Sequence, residues 1–164
     1  MILVTVGGQL PFDRLVRAVD AWARDTGRSD VFAQIGDTSY RPGHVESAPF
    51  LDPAAFRARF EAARAVVSHA GMGTVIGALE AGKPILVMPR RFALQEQRND
   101  HQLATAEHLC ERPGVIVAMD ERELRARLEE IDDIPSAPPI SPSASPELLD
   151  ALRSFVESTP ERSR

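Results

Sequence analysis

Short apolar runs rich in β-branched residues recur along the chain, each closed by a turn and followed by apolar positions at helical spacing. Residues 2–6 form the first run, read as a buried strand ending at Gly7-Gly8. Asp13 is placed to cap a helix whose inward positions are Leu15, Val16, Val19, Trp22 and Ala23. Residues 31–35 give a second strand, stopped by Gly36-Asp37. Pro42, Gly43 and Pro49 make residues 37–49 a loop, with room for a short strand near Val45. Asp52-Pro53 is an N-cap followed by proline at the first helical position, and Phe56, Phe60 and Ala63 mark the face that helix buries. Strand 65–68, helix 73–81 closed by Gly82 with Pro84 beyond, and strand 85–88 come next. A helix from Asp100 to about Glu111, strand 115–118 and a helix capped by Asp120 complete the series.

Alternating strands and helices with short connections predict an α/β fold: a Rossmann-like parallel sheet with helices on both faces. Strands that are apolar throughout agree, because a strand covered on both sides has no solvent face. After Ile134 the pattern breaks. The division expected is a Rossmann-like domain over 1–134, a Pro/Ser-rich linker over 135–146, extended or disordered, and a C-terminal amphipathic helix and tail over 147–164. That helix carries Leu148, Leu149, Leu152, Phe155 and Val156 on one face, which needs cover. Packing back on its own sheet is the commoner solution. A partner or a second copy of the chain, giving a homo-oligomer, are the others.

Composition narrows the function classes. The 164 residues fit one ordinary domain, and a net charge of −5 argues against a general nucleic-acid binder. Cys110 is the sole cysteine, so no intramolecular disulfide forms and a cytoplasmic setting is expected. The apolar start is too short for a signal peptide, and no run approaches a membrane span, so any membrane association is expected to be peripheral.

In an open parallel sheet, ligands bind beyond the carboxyl ends of the strands. The loop richest in chemistry there is Ser68-His69-Ala70-Gly71-Met72-Gly73-Thr74, a strand running through a small-residue turn into a helix. Gly71 and Gly73 admit close backbone approach, the helix start offers free N–H groups to a phosphate, and Thr74 adds a hydroxyl. His69 has two readings: a ligand-contacting or acid–base group, or a histidine that only packs. The spacing Gly71-x-Gly73-x-x-x-Gly77 misses the dinucleotide fingerprint by one position, and arginines at the end of the next strand keep an NAD(P)-binding oxidoreductase open as an alternative. A non-catalytic nucleotide-binding scaffold is the third reading. The following loop, over residues 89–102, gathers Arg90, Arg91 and Arg98 with Asn99, Asp100, His101 and Gln102, groups that can read phosphates and sugar hydroxyls or simply form a solvated basic loop with a helix cap. The arginines have three candidate tasks: an acidic sugar, a diphosphate, or an anionic membrane face.

Together, residues 4–7 with 11–15, 67–74, 78–84, 89–91 and 98–103 resemble the C-terminal domain of family 28 glycosyltransferases, the donor half of a GT-B enzyme, over residues 1–130. The resemblance is greatest to small stand-alone subunits, of the dolichol-linked N-acetylglucosaminyltransferase and the bacterial exopolysaccharide glucuronosyltransferase types. It implies a UDP-sugar donor, a lipid-linked (polyprenyl-diphosphate) acceptor, and a membrane-associated acceptor-binding glycosyltransferase subunit as partner; the transfer is expected to need no metal or other cofactor. It also implies residue roles. Gly7, Gly8, Ser68, Gly71, Met72, Gly73 and Thr74 bind the donor diphosphate, and Asn99, Asp100, His101 and Gln102 read the sugar; from their own chemistry, His69 is expected to be catalytic and Arg91 to join the diphosphate site. Gly77 stands where many such enzymes carry a ribose-binding glutamate. Glu80, one turn later, either replaces it or is a surface carboxylate.

Overall fold

The computed structural model describes residues 1–141 and 143–158; Pro142, within the expected linker, and residues 159–164, the end of the expected tail, lie outside the described residues. The elements are β1 (Ile2–Thr5), α1 (Asp13–Thr26), β2 (Val31–Gln34), β3 (Glu46–Ala48), α2 (Pro53–Ala62), β4 (Ala65–His69), α3 (Met72–Glu80), β5 (Ile85–Met88), α4 (His101–Leu109), β6 (Val115–Val117), α5 (Glu121–Glu129) and α6 (Pro146–Ser158). The strands form one sheet in the order β3-β2-β1-β4-β5-β6, every neighbouring pair parallel. The chain starts at the centre, builds outward to one edge, then returns to build the other half from β4. The crevice of such a sheet opens where the direction reverses, between the ends of β1 and β4.

Alternating residues of each strand face opposite helix layers. Ile2, Val4, Val67, Leu86 and Met88 pack against Leu15 and Trp22 of α1 and Leu124 and Leu128 of α5. On the other face, Val66, Ile85 and Val87 meet Val75 and Leu79 of α3 and Ala106 and Leu109 of α4, while Leu3 and Phe32 meet Phe56 and Phe60 of α2. This is the doubly covered parallel sheet the apolar runs require.

The structure departs from the sequence reading in four places. Asp13 is the first residue of α1 rather than its cap; its carboxylate accepts a 2.6 Å hydrogen bond from the Thr38 hydroxyl instead. Strict alternation of strand and helix fails between β2 and β3, which no helix separates, although the short strand expected near Val45 is present as β3. There the buried Asp20 organises the loop, accepting from the Tyr40 hydroxyl (2.9 Å) and from the N–H groups of Gly43 (3.1 Å) and His44 (2.7 Å). Burial alone would raise the Asp20 carboxyl, but these donors hold it below the usual carboxylate range. Third, residues 134–140 carry no helix or strand, yet Ile140 donates from its N–H to the Leu79 carbonyl (3.1 Å) and packs beside the α3–α4 cluster. Last, α6 does not fold back on the sheet: Leu148, Leu152, Phe155 and Val156 are 51%, 52%, 69% and 70% exposed. Among the described residues, no helix is long and apolar enough to cross a membrane.

Candidate functional site

The turn after β4 and the loop after β1 meet at the switch point, and His69 lies between them. Gly7 sits in the left-handed region at φ +77°, and a Cβ there would come within 2.7 Å of the His69 ring. A Cβ at Gly71 would collide with the same ring from the other loop. Both glycines are therefore required by close approach, not merely tolerated. Burial drives the imidazole down to about 4 and the nearby Arg90 charge pushes the same way, while the Thr5 main chain pulls against both without prevailing. His69 is neutral at pH 7, and among the described residues its buried Nδ1 has no hydrogen-bond partner.

Two cavities meet at Gly8. The larger, about 520 Å³, is lined by Thr5 at the end of β1, by Gly7 and Gly8 of the loop after it, by Gly73, Thr74 and Gly77 of α3, and by Leu51, Phe56, Arg57 and Phe60 from α2 and the residues before it. Here α3 begins with no side-chain cap. The N–H groups of Met72, Gly73 and Thr74 precede the first i to i−4 bond, which Val75 makes to the Gly71 carbonyl (3.2 Å). That turn offers uncommitted donors and the positive end of a helix dipole. The smaller cavity, about 280 Å³, is lined by Gln9, Leu10, His69, Gly71, Arg90, Gln97, His101 and Gln102.

Of the residues singled out in the sequence, Gly7, Gly8, Gly73 and Thr74 line the larger cavity, and His69, Gly71, His101 and Gln102 the smaller. Met72 is exposed beside the turn. Ser68 is fully buried, and its hydroxyl donates to the His69 carbonyl (2.6 Å). Asn99 and Asp100 line neither cavity. They shape the turn into α4: Asn99 Oδ1 accepts from the His101 N–H (3.2 Å), and Asp100 Oδ1 from the Phe92 N–H (2.9 Å). Glu80 is exposed at the far end of α3, away from both cavities.

The three arginines separate. Arg90 is 2% exposed and donates to the carbonyls of Val6 (2.7 Å), Leu10 (2.6 Å), Pro11 (2.6 Å) and Glu96 (3.3 Å). Arg91 turns to the Met119 carbonyl (2.6 Å), outside both cavities. Arg98 is exposed and lines a separate hollow with Leu10, Phe92 and Gln97.

Sequence reasoning missed the wall that α2 supplies. Phe56 and Phe60 were read as a buried face, but α2 buries none of its residues fully; they form a half-exposed wall with Arg57 at its rim. The signal was present as Pro53, Phe56, Arg57 and Phe60 at i, i+3, i+4 and i+7, one face carrying a cation among apolar groups.

The sequence profile described as the glycosyltransferase family 28 C-terminal domain matches residues 1–145. The chain belongs to this family. A relative in Yarrowia lipolytica (strain CLIB 122 / E 150), the UDP-N-acetylglucosamine transferase subunit ALG13, is 28% identical over 133 residues, covering 73% of this chain and 65% of the relative, so the match spans about two thirds of that protein. Among solved structures, a solution structure of ALG13 aligns with TM-score 0.58 at 18% identity, covering 92% of this chain and 93% of that one. The glycotransferase of kitacinnamycin aligns with TM-score 0.59 at 20% identity, covering 95% of this chain but 38% of that one. The same fold thus makes up nearly the whole of one solved chain and a minor part of another.

Proposed function

We propose that this family 28 domain is the UDP-sugar-binding half of a two-component glycosyltransferase, completed by a partner that supplies the acceptor site. The observation that carries the reading is the pairing of an uncapped glycine turn at α3 with an apolar-walled cavity on one side and a polar one on the other. A nucleoside diphosphate sugar has the same sequence of parts. Its base suits Leu51, Phe56 and Phe60, its diphosphate the N–H groups of residues 72–74 with Thr74 and Arg57, and its sugar the groups around Gln97, His101 and Gln102. The developing charge on the departing UDP would be met by these fixed donors, with no metal required. Neutral His69, wedged where the cavities meet, contributes a hydrogen bond rather than a charge. The relative's description as a transferase subunit supports a heteromeric enzyme. A polyprenyl-diphosphate-linked acceptor, a role in exopolysaccharide or glycolipid synthesis, and peripheral attachment at the inner membrane face through the partner extend this reading.

Two measurements test it. In NMR titrations of the isolated chain, UDP is expected to shift residues 7–8, 56–57 and 72–74, and NADPH to leave them unmoved; the reverse would establish the oxidoreductase alternative. Transfer from a UDP-sugar to a lipid-linked acceptor is expected only on co-expression with the partner, and robust transfer by the purified chain alone would refute the half-enzyme claim.

A further inference from the structure

The most deeply buried cation of the site is bound to no carboxylate. Taking a guanidinium out of water is costly unless its N–H groups find other partners. Arg90 finds them in four main-chain carbonyls, at Val6, Leu10, Pro11 and Glu96, and lies over the Phe12 ring, 4.8 Å from its centroid. Its own N–H donates to Gln102 Oε1 at 3.1 Å. Burial lowers its pKa to about 10, with the Glu96 charge opposing, so it stays protonated at neutral pH. None of the four carbonyls belongs to a core helix. Three lie on the loop over residues 6–11, on either side of Gly7 and Gly8; the fourth lies on the loop leading to α4. A guanidinium can reach carbonyls spread around a plane, whereas an ammonium presents its donors from one point.

We infer that Arg90 is a positioning residue for donor binding: it ties the glycine loop, the loop before α4 and Gln102 into one preformed rim, so that binding need not order the loop. This rests on the donor-binding reading above. It also explains why an arginine stands where the sequence suggested a ligand contact: both terminal nitrogens of Arg90 are already engaged. A second consequence falls on His69. Of the charged and titratable groups lining the smaller cavity, Arg90 and His101, the former helps keep the imidazole neutral, while the Glu96 charge acts on Arg90 itself.

The test compares the full chain with Arg90→Lys and Arg90→Met by amide hydrogen exchange, UDP titration and NMR titration of the His69 ring. Arg90→Lys keeps the charge and loses the spread of donors. It is expected to leave His69 neutral, speed exchange selectively over residues 7–10, and weaken UDP by about tenfold, the cost of ordering the loop on binding. Arg90→Met is expected to do the same and also to raise the His69 midpoint. Wild-type loop exchange and UDP affinity in Arg90→Lys would overturn the proposal. So would uniformly faster exchange with affinity per folded molecule retained, which marks a role in the fold alone. If Arg90→Met does not fold, Arg90→Lys decides. If the wild-type chain binds no UDP, the donor reading falls, and loop-selective or uniform exchange still decides for or against the positioning role.

Discussion

The two cavities that meet at Gly8 are walled by different kinds of structure. The larger is closed by a helix: α2 lays Phe56 and Phe60 beside the crevice, so its wall is mainly aromatic and aliphatic, with Arg57 at the rim. The smaller is closed mostly by loops, with His101 and Gln102 at the start of α4, and apart from Val6 and Leu10 its lining is amides, imidazoles, glycine backbone and the tethered Arg90. An apolar wall holds a flat ring by burial and dispersion with little directional demand. A ring of amides reads hydroxyls one by one, and can do so only if the loops carrying them are held still. The loop-built side accordingly has the denser net of ties. Besides Arg90, Glu96 accepts from Arg14 (2.7 and 2.8 Å) and from the Arg91 N–H (2.9 Å), anchoring the loop before α4 to α1.

The largest effect that would break this arrangement is expected at Gly7, compared with its neighbour Gly8. A side chain at Gly7 must adopt φ +77° and push into the His69 ring, whereas at Gly8 a Cβ would meet nothing within 4 Å. Left-handed strain and overpacking together predict that Gly7→Ala loses about 2–6 kcal/mol of folding stability, and Gly8→Ala under about 0.5 kcal/mol. Urea unfolding measures both. Equal losses would mean that the close approach of the two loops around His69 is not what demands glycine.

Acidification comes next and acts on the polar side. His69 titrates near 4 when folded, below its ordinary 6.5, so between those values the unfolded chain binds the extra proton and the folded chain does not. Stability is therefore complete above about pH 6.5 and falls as pH is lowered toward 4, by about 2 kcal/mol at pH 5. Asp30, held at about 2 chiefly by its hydrogen bond to Arg28, adds acid sensitivity only at lower pH. A His69→Gln chain, unfolded in urea at pH 7.5 and pH 5, is expected to lose most of this difference. An unchanged difference would assign the acid sensitivity to other groups.

How much of this was legible in the sequence follows the physics of each part. Strands and their helices were readable because burial on both faces demands continuous apolar runs, and the turn of residues 68–74 because glycines at a helix start have few other uses. The β2–β3 connection was not, since what orders it is one buried carboxylate, Asp20, whose partners lie 20 to 24 residues away. Arg90, Arg91 and Arg98 are nearly adjacent in sequence and share a composition. Only the fold shows that the first faces the glycine loop, the second the Met119 carbonyl and the third a separate hollow. Phe56 and Phe60 repeat at a spacing that fits a core face and a cavity wall equally well, and exposure, which sequence does not carry, separates the two.

The smallest expected effects are the ones that test the division of labour directly. If the larger cavity takes the nucleoside diphosphate and the smaller the sugar, a change in each should be felt by different parts of one donor. Arg57 is exposed, so its attraction for a diphosphate is partly screened; Arg57→Ala is expected to cost about 1 kcal/mol in affinity, equally for UDP and for a UDP-sugar, and less as salt is raised. Gln97 lines the smaller cavity and the separate hollow beside it but not the larger cavity, and one neutral hydrogen bond to a hydroxyl contributes about 0.5–1.5 kcal/mol net. Gln97→Ala should therefore leave UDP binding unchanged and weaken a UDP-sugar by that amount, with the loss depending on which sugar is attached. Calorimetric titration of both variants with UDP, UDP-glucose, UDP-N-acetylglucosamine and UDP-glucuronate reads every combination. The last of these donors also tests the acidic-sugar task that the arginine-rich loop suggested, since Arg90 and Arg91 already donate to main-chain carbonyls and Arg98 lies outside the smaller cavity. If Gln97→Ala weakens UDP and its sugars alike, the two cavities act as one, and the aromatic wall and the amide-lined rim do not divide the donor between them.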